Sequence, residues 1–165
     1  MFLSIFKAIE ETGLSIWIRE SDSVFSFWFI LSVHAIGMGL LVGASVLIGL
    51  RILGLAPDLP LAPLERFYRF IWVGFWIQVV SGILLLIGYP TKSLTNPLFY
   101  VKLTLIGLAM ASMQMLRNRV FADSSLSEAA MVAKGRVFAV SSLIFWVGAV
   151  TAGRLLAYTY TVLTA

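Results

Sequence analysis

Apolar residues in this chain collect into four long runs, and polar residues gather between them. Crossing a hydrocarbon core of about 30 Å takes roughly 20 mostly apolar residues. Four spans are predicted on that basis, over about Val24–Leu50, Phe70–Gly88, Leu98–Leu116 and Val137–Thr161. Lipid offers no water to backbone N–H and C=O groups, so each span is predicted to be an α-helix. Turn chemistry separates them: Pro57, Pro60 and Pro63 follow the first span, and Tyr89-Pro90 and Asn96-Pro97 lie between the second and third. The polar stretch Asp123–Ala133, with Ser125 or Ser127 as a cap, reads as the start of the fourth helix projecting beyond the membrane. The expected fold class is all-α: a polytopic membrane protein whose four helices form one bundle over residues 1–165.

The first 22 residues follow a different pattern. Ile5, Phe6, Ile9, Leu14, Ile16 and Trp17 alternate with Lys7, Glu10, Glu11, Arg19 and Glu20. That mixture is too charged for the core of a signal peptide, and no small-residue cleavage site follows an apolar run. It predicts an amphipathic interfacial helix over 1–22, lying on the membrane surface and broken near Gly13.

Composition agrees with the pattern. Of 165 residues, 60% are hydrophobic and 12% charged, against about 45–50% and about 25% in soluble domains. One small globule cannot bury that surplus. The absence of Cys excludes disulfides, iron–sulfur clusters, thiolate metal sites and covalently attached haem. The net charge of +4 reads as membrane topology, with no nucleic-acid partner expected. Arg51, Arg66 and Arg69 fall between spans one and two, and Arg117, Arg119, Lys134 and Arg136 between three and four. Lys7, Arg19 and Lys92 lie on the opposite side. Seven cations against three place both termini outside by the positive-inside rule, in the periplasm of a bacterial inner membrane.

Ionisable side chains at membrane depth are costly and each is a functional candidate. His34, Lys102 and Arg154 are such residues, supported by Gln78 and Tyr158. With about 1.5 Å of rise per residue, His34 and Gln78 reach a common level roughly 15 Å from the outer surface, and Arg154 lies roughly 10 Å deep. An imidazole at mid-depth with two cations above it suits a b-type haem. His34 would ligate iron, Lys102 and Arg154 would meet the propionates, and Gln78 and Tyr158 would line the site. Met38 follows His34 by one helical turn, which makes a copper site on His34 and Met38 a further candidate. The plainer alternatives are a structural His34 bonded to Gln78 or Ser32, a Lys102 that snorkels to headgroups, and Met110, Met113 and Met115 as gap fillers. With one His, the sixth haem position is left empty, filled by Met or another side chain, or supplied by a second copy. The small-residue series Ala35-Gly39-Gly43 and Ala149-Gly153-Ala157 suit close helix packing, within the chain or in a homo-oligomer or larger membrane complex.

Independent catalysis is not expected. The spans hold no carboxylate pair for acid–base or di-metal chemistry, and Gly37-Met38-Gly39 lies in an apolar helix with no strand before it. Gln78 and Ser81 alone are too few to line a channel.

Trp17-Ile18-Arg19-Glu20-Ser21, His34-Ala35-Ile36-Gly37 and Gly49-Leu50-Arg51-Ile52-Leu53-Gly54 resemble a family of short, uncharacterised four-helix bacterial integral membrane proteins. Asn96-Pro97-Leu98-Phe99-Tyr100-Val101-Lys102 and Ala152-Gly153-Arg154-Leu155-Leu156-Ala157-Tyr158 extend the resemblance over nearly the whole chain. Gly49 and Leu50 stand where such sequences often carry an acidic residue. More distantly, the His in span one and the Phe99-x-x-Lys102 start of span three are similar to CopD-like and cytochrome b-like membrane bundles. That similarity implies a four-helix bundle and membrane lipid as its setting, with haem or copper as a cofactor. A cofactor-free structural or accessory subunit of a membrane complex is the alternative from a different class.

Overall fold

The computed structural model describes residues 2–159. All regular structure among them is helical. Two short helices, α1 (Phe2–Glu10) and α2 (Gly13–Glu20), precede α3 (Phe27–Ile52), α4 (Tyr68–Gly88), the single turn α5 (Pro90–Leu94), α6 (Pro97–Leu116) and α7 (Glu128–Tyr158). A 3₁₀ turn over Ala62–Phe67 leads into α4, and a π turn over Arg117–Phe121 prolongs α6. Four helices are long and apolar enough to cross a membrane, so the chain is an integral membrane protein built as a helical bundle.

Local chemistry sets the helix ends. The Ser26 hydroxyl donates to the carbonyls of Ser21 and Ser23, closing a turn that delays α3 to Phe27. At the other end of α3, Gly54 takes φ +102°, and its N–H and that of Leu55 return to the carbonyls of Arg51 and Leu50. This is a Schellman cap, and only Gly adopts that backbone without strain. Asn96 caps α6 through Leu98 N–H, with Pro97 in the first turn, and Ser127 caps α7 through Ala130 N–H. Before that cap, Asp123 accepts from the hydroxyl and the N–H of Ser125, which holds its carboxyl below the usual carboxylate range, with Lys134 3.5 Å away. The expected end of the fourth span at Thr161 lies outside the described residues.

Two hairpins form the bundle, α3 with α4 and α6 with α7, and α3 against α7 is the principal seam between them. The connections at 53–67 and 117–127 meet at one end, the loop end. Helices α1 and α2 and the 89–96 connection lie at the other, the terminal end. The apolar core sits in the loop half, where Ile48, Ile52, Leu61, Leu64, Ile71, Met113, Leu116 and Val120 are buried together. Tyr68 joins α4 to α6 there by donating to Met113 O, 3.0 Å away.

Arg51 departs from the sequence expectation. It is the second-last residue of α3 rather than a loop cation, and it is 5% exposed. Its guanidinium donates to the carbonyls of Leu59 and Pro57 and to the Glu128 carboxylate. One side chain thus ties the end of α3 to the following loop and to the start of α7.

The N-terminal helices are docked onto the bundle. Ile18 is fully buried against Gly88, where an added Cβ would stand 2.9 Å from its Cγ2. The Ser15 hydroxyl donates to Ile87 O at 2.9 Å, satisfying a carbonyl that the end of α4 leaves without a helical partner. Glu10 accepts from Thr91 N–H at the start of α5.

The closest approach of α3 and α4 is at Gly37 and Gly74. A Cβ on Gly74 would stand 2.6 Å from Leu41 N and 2.8 Å from Gly37 O. The small-residue series expected to pack α3, Ala35-Gly39-Gly43, lies elsewhere: all three residues are exposed, with nothing within 4 Å of a Cβ on Gly39 or Gly43. Gly74→Ala should therefore force the helices apart and cost about 1–3 kcal/mol. Gly39→Ala should be neutral or slightly stabilising through helix propensity. Thermal unfolding of the two variants in mild detergent checks this, with a lower midpoint expected for Gly74→Ala alone.

Candidate functional site

The polar residues of the spans do not share one environment. On the α3–α4 seam, His34 Nδ1 lies 2.8 Å from Ser81 Oγ, and Gln78 Nε2 donates to the His34 backbone carbonyl at 3.0 Å. Gln78 and Ser81 are three residues apart on α4, so both meet the same turn of α3. The ring packs over Gly82, where a Cβ would stand 3.5 Å from His34 Cε1, at ordinary van der Waals distance. Neither side chain expected to bond the imidazole does so. Gln78 holds the backbone, and the Ser32 hydroxyl turns back to Trp28 O.

Hydrogen-bond accounting then assigns the ring its tautomer. The hydroxyl of Ser81 has one hydrogen, and it is donated to Ile77 O at 2.5 Å. With that hydrogen on Ile77 O, Ser81 Oγ is placed to accept from His34, an arrangement that favours the proton on Nδ1 and the lone pair on Nε2. Among the described residues, Nε2 has no hydrogen-bond partner. A backbone-anchored hydroxyl that fixes the tautomer of an imidazole is the arrangement that supports metal-ligating histidines. Its sequence signal was faint, since Ser81 is one serine in a run of apolar residues.

The cations come from the other hairpin. The Lys102 stem on α6 runs over Gly153 of α7, where a Cβ would stand 3.5 Å from both Cδ and Cε. Its ammonium is within electrostatic range of the imidazole. Arg154 is exposed on the next residue of α7, its guanidinium 5.8 Å from the ring centroid of Tyr158 one turn on. Neither Lys102 nor Arg154 has a carboxylate partner among the described residues. Met38 is exposed on α3. Of the three Met residues on α6, Met113 is buried and Met115 is exposed, so they do not share one packing role.

His34 is the residue of this set that would ligate a haem iron. Nε2 is free to ligate, and two cations stand toward the same end of the bundle. Met38 follows His34 by one turn of α3, so the two side chains leave the helix on the same side. Among the described residues no group of three His, Cys, Asp or Glu could hold a metal ion.

The single His makes the tautomer directly measurable. In protein with ¹⁵N-labelled imidazole, a single pair of ring signals is expected, with Nδ1 protonated and Nε2 unprotonated near neutral pH. Ser81→Ala should convert it to a mixture of tautomers with little change in helicity. A wild-type spectrum with the proton on Nε2 would contradict the assignment.

Compared with protein-family models, with curated proteins and with solved structures, the chain shows no match. The functional reading therefore rests on the chemistry of the site.

Proposed function

We propose that this integral membrane protein binds a b-type haem through Nε2 of His34 and acts in electron transfer or small-ligand handling. The observation that carries the reading is the Ser81–His34 hydrogen bond, which commits Nδ1 and leaves Nε2 as a ligand nitrogen. A bound haem would supply one-electron exchange or an open coordination position for a small molecule. Lys102 and Arg154 would pair with its carboxylates. Gln78 would hold the α3 backbone in place beneath the ligand, and Tyr158 would steady the Arg154 guanidinium. A small ligand, another side chain or a second copy of the chain would complete the coordination of the iron. Copper on His34 and Met38 is a weaker variant, because it offers only two donors.

A cofactor-free accessory subunit is the second reading, favoured by the outward-facing Ala35, Gly39 and Gly43. Their open surface suits close approach by a helix of a second copy or of a larger membrane complex. Spectroscopy separates the two. Protein expressed with haem supply and purified in mild detergent should show Soret absorption that His34→Ala removes while membrane insertion persists. Lys102→Gln with Arg154→Gln should lower haem retention without abolishing it. Soret absorption that survives His34→Ala would reject the ligand assignment, and none in wild type after haem reconstitution would favour the accessory subunit.

The proposal also places both termini in the periplasm of a bacterial inner membrane, following the cation count. With no Cys in the chain, single-cysteine labelling is unambiguous. Thr95→Cys should react with an impermeant maleimide in intact spheroplasts, and Ser124→Cys only after lysis. The opposite pattern would invert the topology.

A further inference from the structure

At the loop end, Ala62, Pro63, Glu65, Arg66, Arg69 and Arg117 line a shallow pocket of about 480 Å³ between the 3₁₀ turn and the end of α6. We propose that this pocket binds the phosphate headgroup of an anionic phospholipid.

The charge is concentrated and largely uncompensated. Glu65 is 3.5 Å from Arg117 Nε, so the three guanidiniums and one carboxylate leave the pocket two positive charges in excess. Arg66 and Arg69 have no ion-pair partner among the described residues. By contrast, Arg51 and Lys134 at the same end are matched with Glu128 and Asp123. Arg117 is also held in orientation, its guanidinium 5.6 Å above the Tyr68 ring. Planar guanidiniums that converge from two chain segments suit the tetrahedral oxygens of a phosphate.

The surface beside the pocket selects a lipid over a free anion. Arg69, Val73 and Trp76 recur at intervals of four and three on α4 and therefore share one face. Val73 is 53% exposed and Trp76 59% exposed. Trp76 lies roughly 10 Å along the helix from Arg69. A headgroup held by Arg66, Arg69 and Arg117 would therefore let its acyl chains descend along an apolar strip that the described residues leave exposed. Arg69 stands where the apolar run of α4 begins, which is headgroup level for a spanning helix.

The test compares lipids and arginine pairs on the full chain in mild detergent. Phosphatidylglycerol should raise the thermal midpoint and remain bound in native mass spectra, whereas phosphatidylcholine and inorganic phosphate should do neither. Arg66→Gln with Arg69→Gln should weaken phosphatidylglycerol retention by about thirtyfold. Both side chains are exposed and unpaired, so the fold should survive. Arg119→Gln with Arg136→Gln, which removes two charges from the same end outside the pocket, should leave retention unchanged. Equal losses in the two double variants would overturn the site in favour of diffuse surface charge. An equal response to inorganic phosphate would overturn the lipid assignment, and no response to phosphatidylglycerol would overturn the site itself.

Discussion

Arg51 sits where an apolar helix runs out into loops, and the way its guanidinium is satisfied organises one whole end of the bundle. Burying an arginine is tolerable only if its donors are met, and five N–H groups in a rigid fork can be met by several partners at once. Here they reach two loop carbonyls and the Glu128 carboxylate. The carbonyls fix the path of the chain from α3 toward the 3₁₀ turn. The carboxylate fixes where α7 begins against α3, which is the seam between the two hairpins. An ion pair adds little net stability compared with apolar packing, and here the arginine is buried while Glu128 is half exposed, so it is loss of the carboxylate that would leave a buried charge under-satisfied. Its contribution is to select one arrangement of helices that lipid alone would not distinguish.

The two halves of the bundle are consequently held by different forces. At the loop end, Leu61, Leu64, Leu116 and Val120 complete a buried apolar core beneath the Arg51 contacts. Toward the terminal end, buried apolar side chains are few, Ile18, Ile30, Pro90 and Ala152 among them. Hydrogen bonds do the joining there: Ser81 with His34, Gln78 with the His34 carbonyl, Ser15 with Ile87, and Asn96 with Thr159. Within lipid an apolar contact between helices is scarcely better than a contact with acyl chains, so directional polar contacts and close backbone approach set the geometry. His34 lies in this second regime, which is where a ligand can replace a packing contact at small cost.

What the sequence makes legible follows from which interactions are local. The four spans were readable because the bilayer demands long apolar runs, and the cap at Ser127 because capping residues act within three positions. The candidates His34, Lys102 and Arg154 stood out because ionisable groups are rare in such runs. Contacts between helices were a different matter, since they depend on rotational phase that no single segment encodes. Gly37 and Gly74 make the close approach, whereas the regular series at Ala35, Gly39 and Gly43 faces outward. Ser81, the residue that determines the state of His34, lies 47 positions away, and Glu128 lies 77 positions from Arg51. Without structure, nothing marks either as a partner.

Lys102 brings these themes together. A lysine near a helix end ordinarily snorkels to the headgroups, but its stem is laid across Gly153, so the ammonium is kept at the α6–α7 seam. The spans contain no Asp or Glu toward that end, and no carboxylate of the described residues reaches it. A cation in that position needs counter-charge from water, from a headgroup or from a bound anion, because the cost of leaving it bare at low dielectric is several kcal/mol, on the order of that for any unpaired buried ion. A Cβ at Gly153 would only touch the lysine stem at ordinary van der Waals distance, 3.5 Å from Cδ and Cε. The loop end meets the same physical problem differently, with carboxylates of its own for Arg51, Arg117 and Lys134. That matching is partial, because Arg66 and Arg69 have no carboxylate partner among the described residues either, so each end of the bundle keeps cations whose counter-charge comes from outside the described ion pairs.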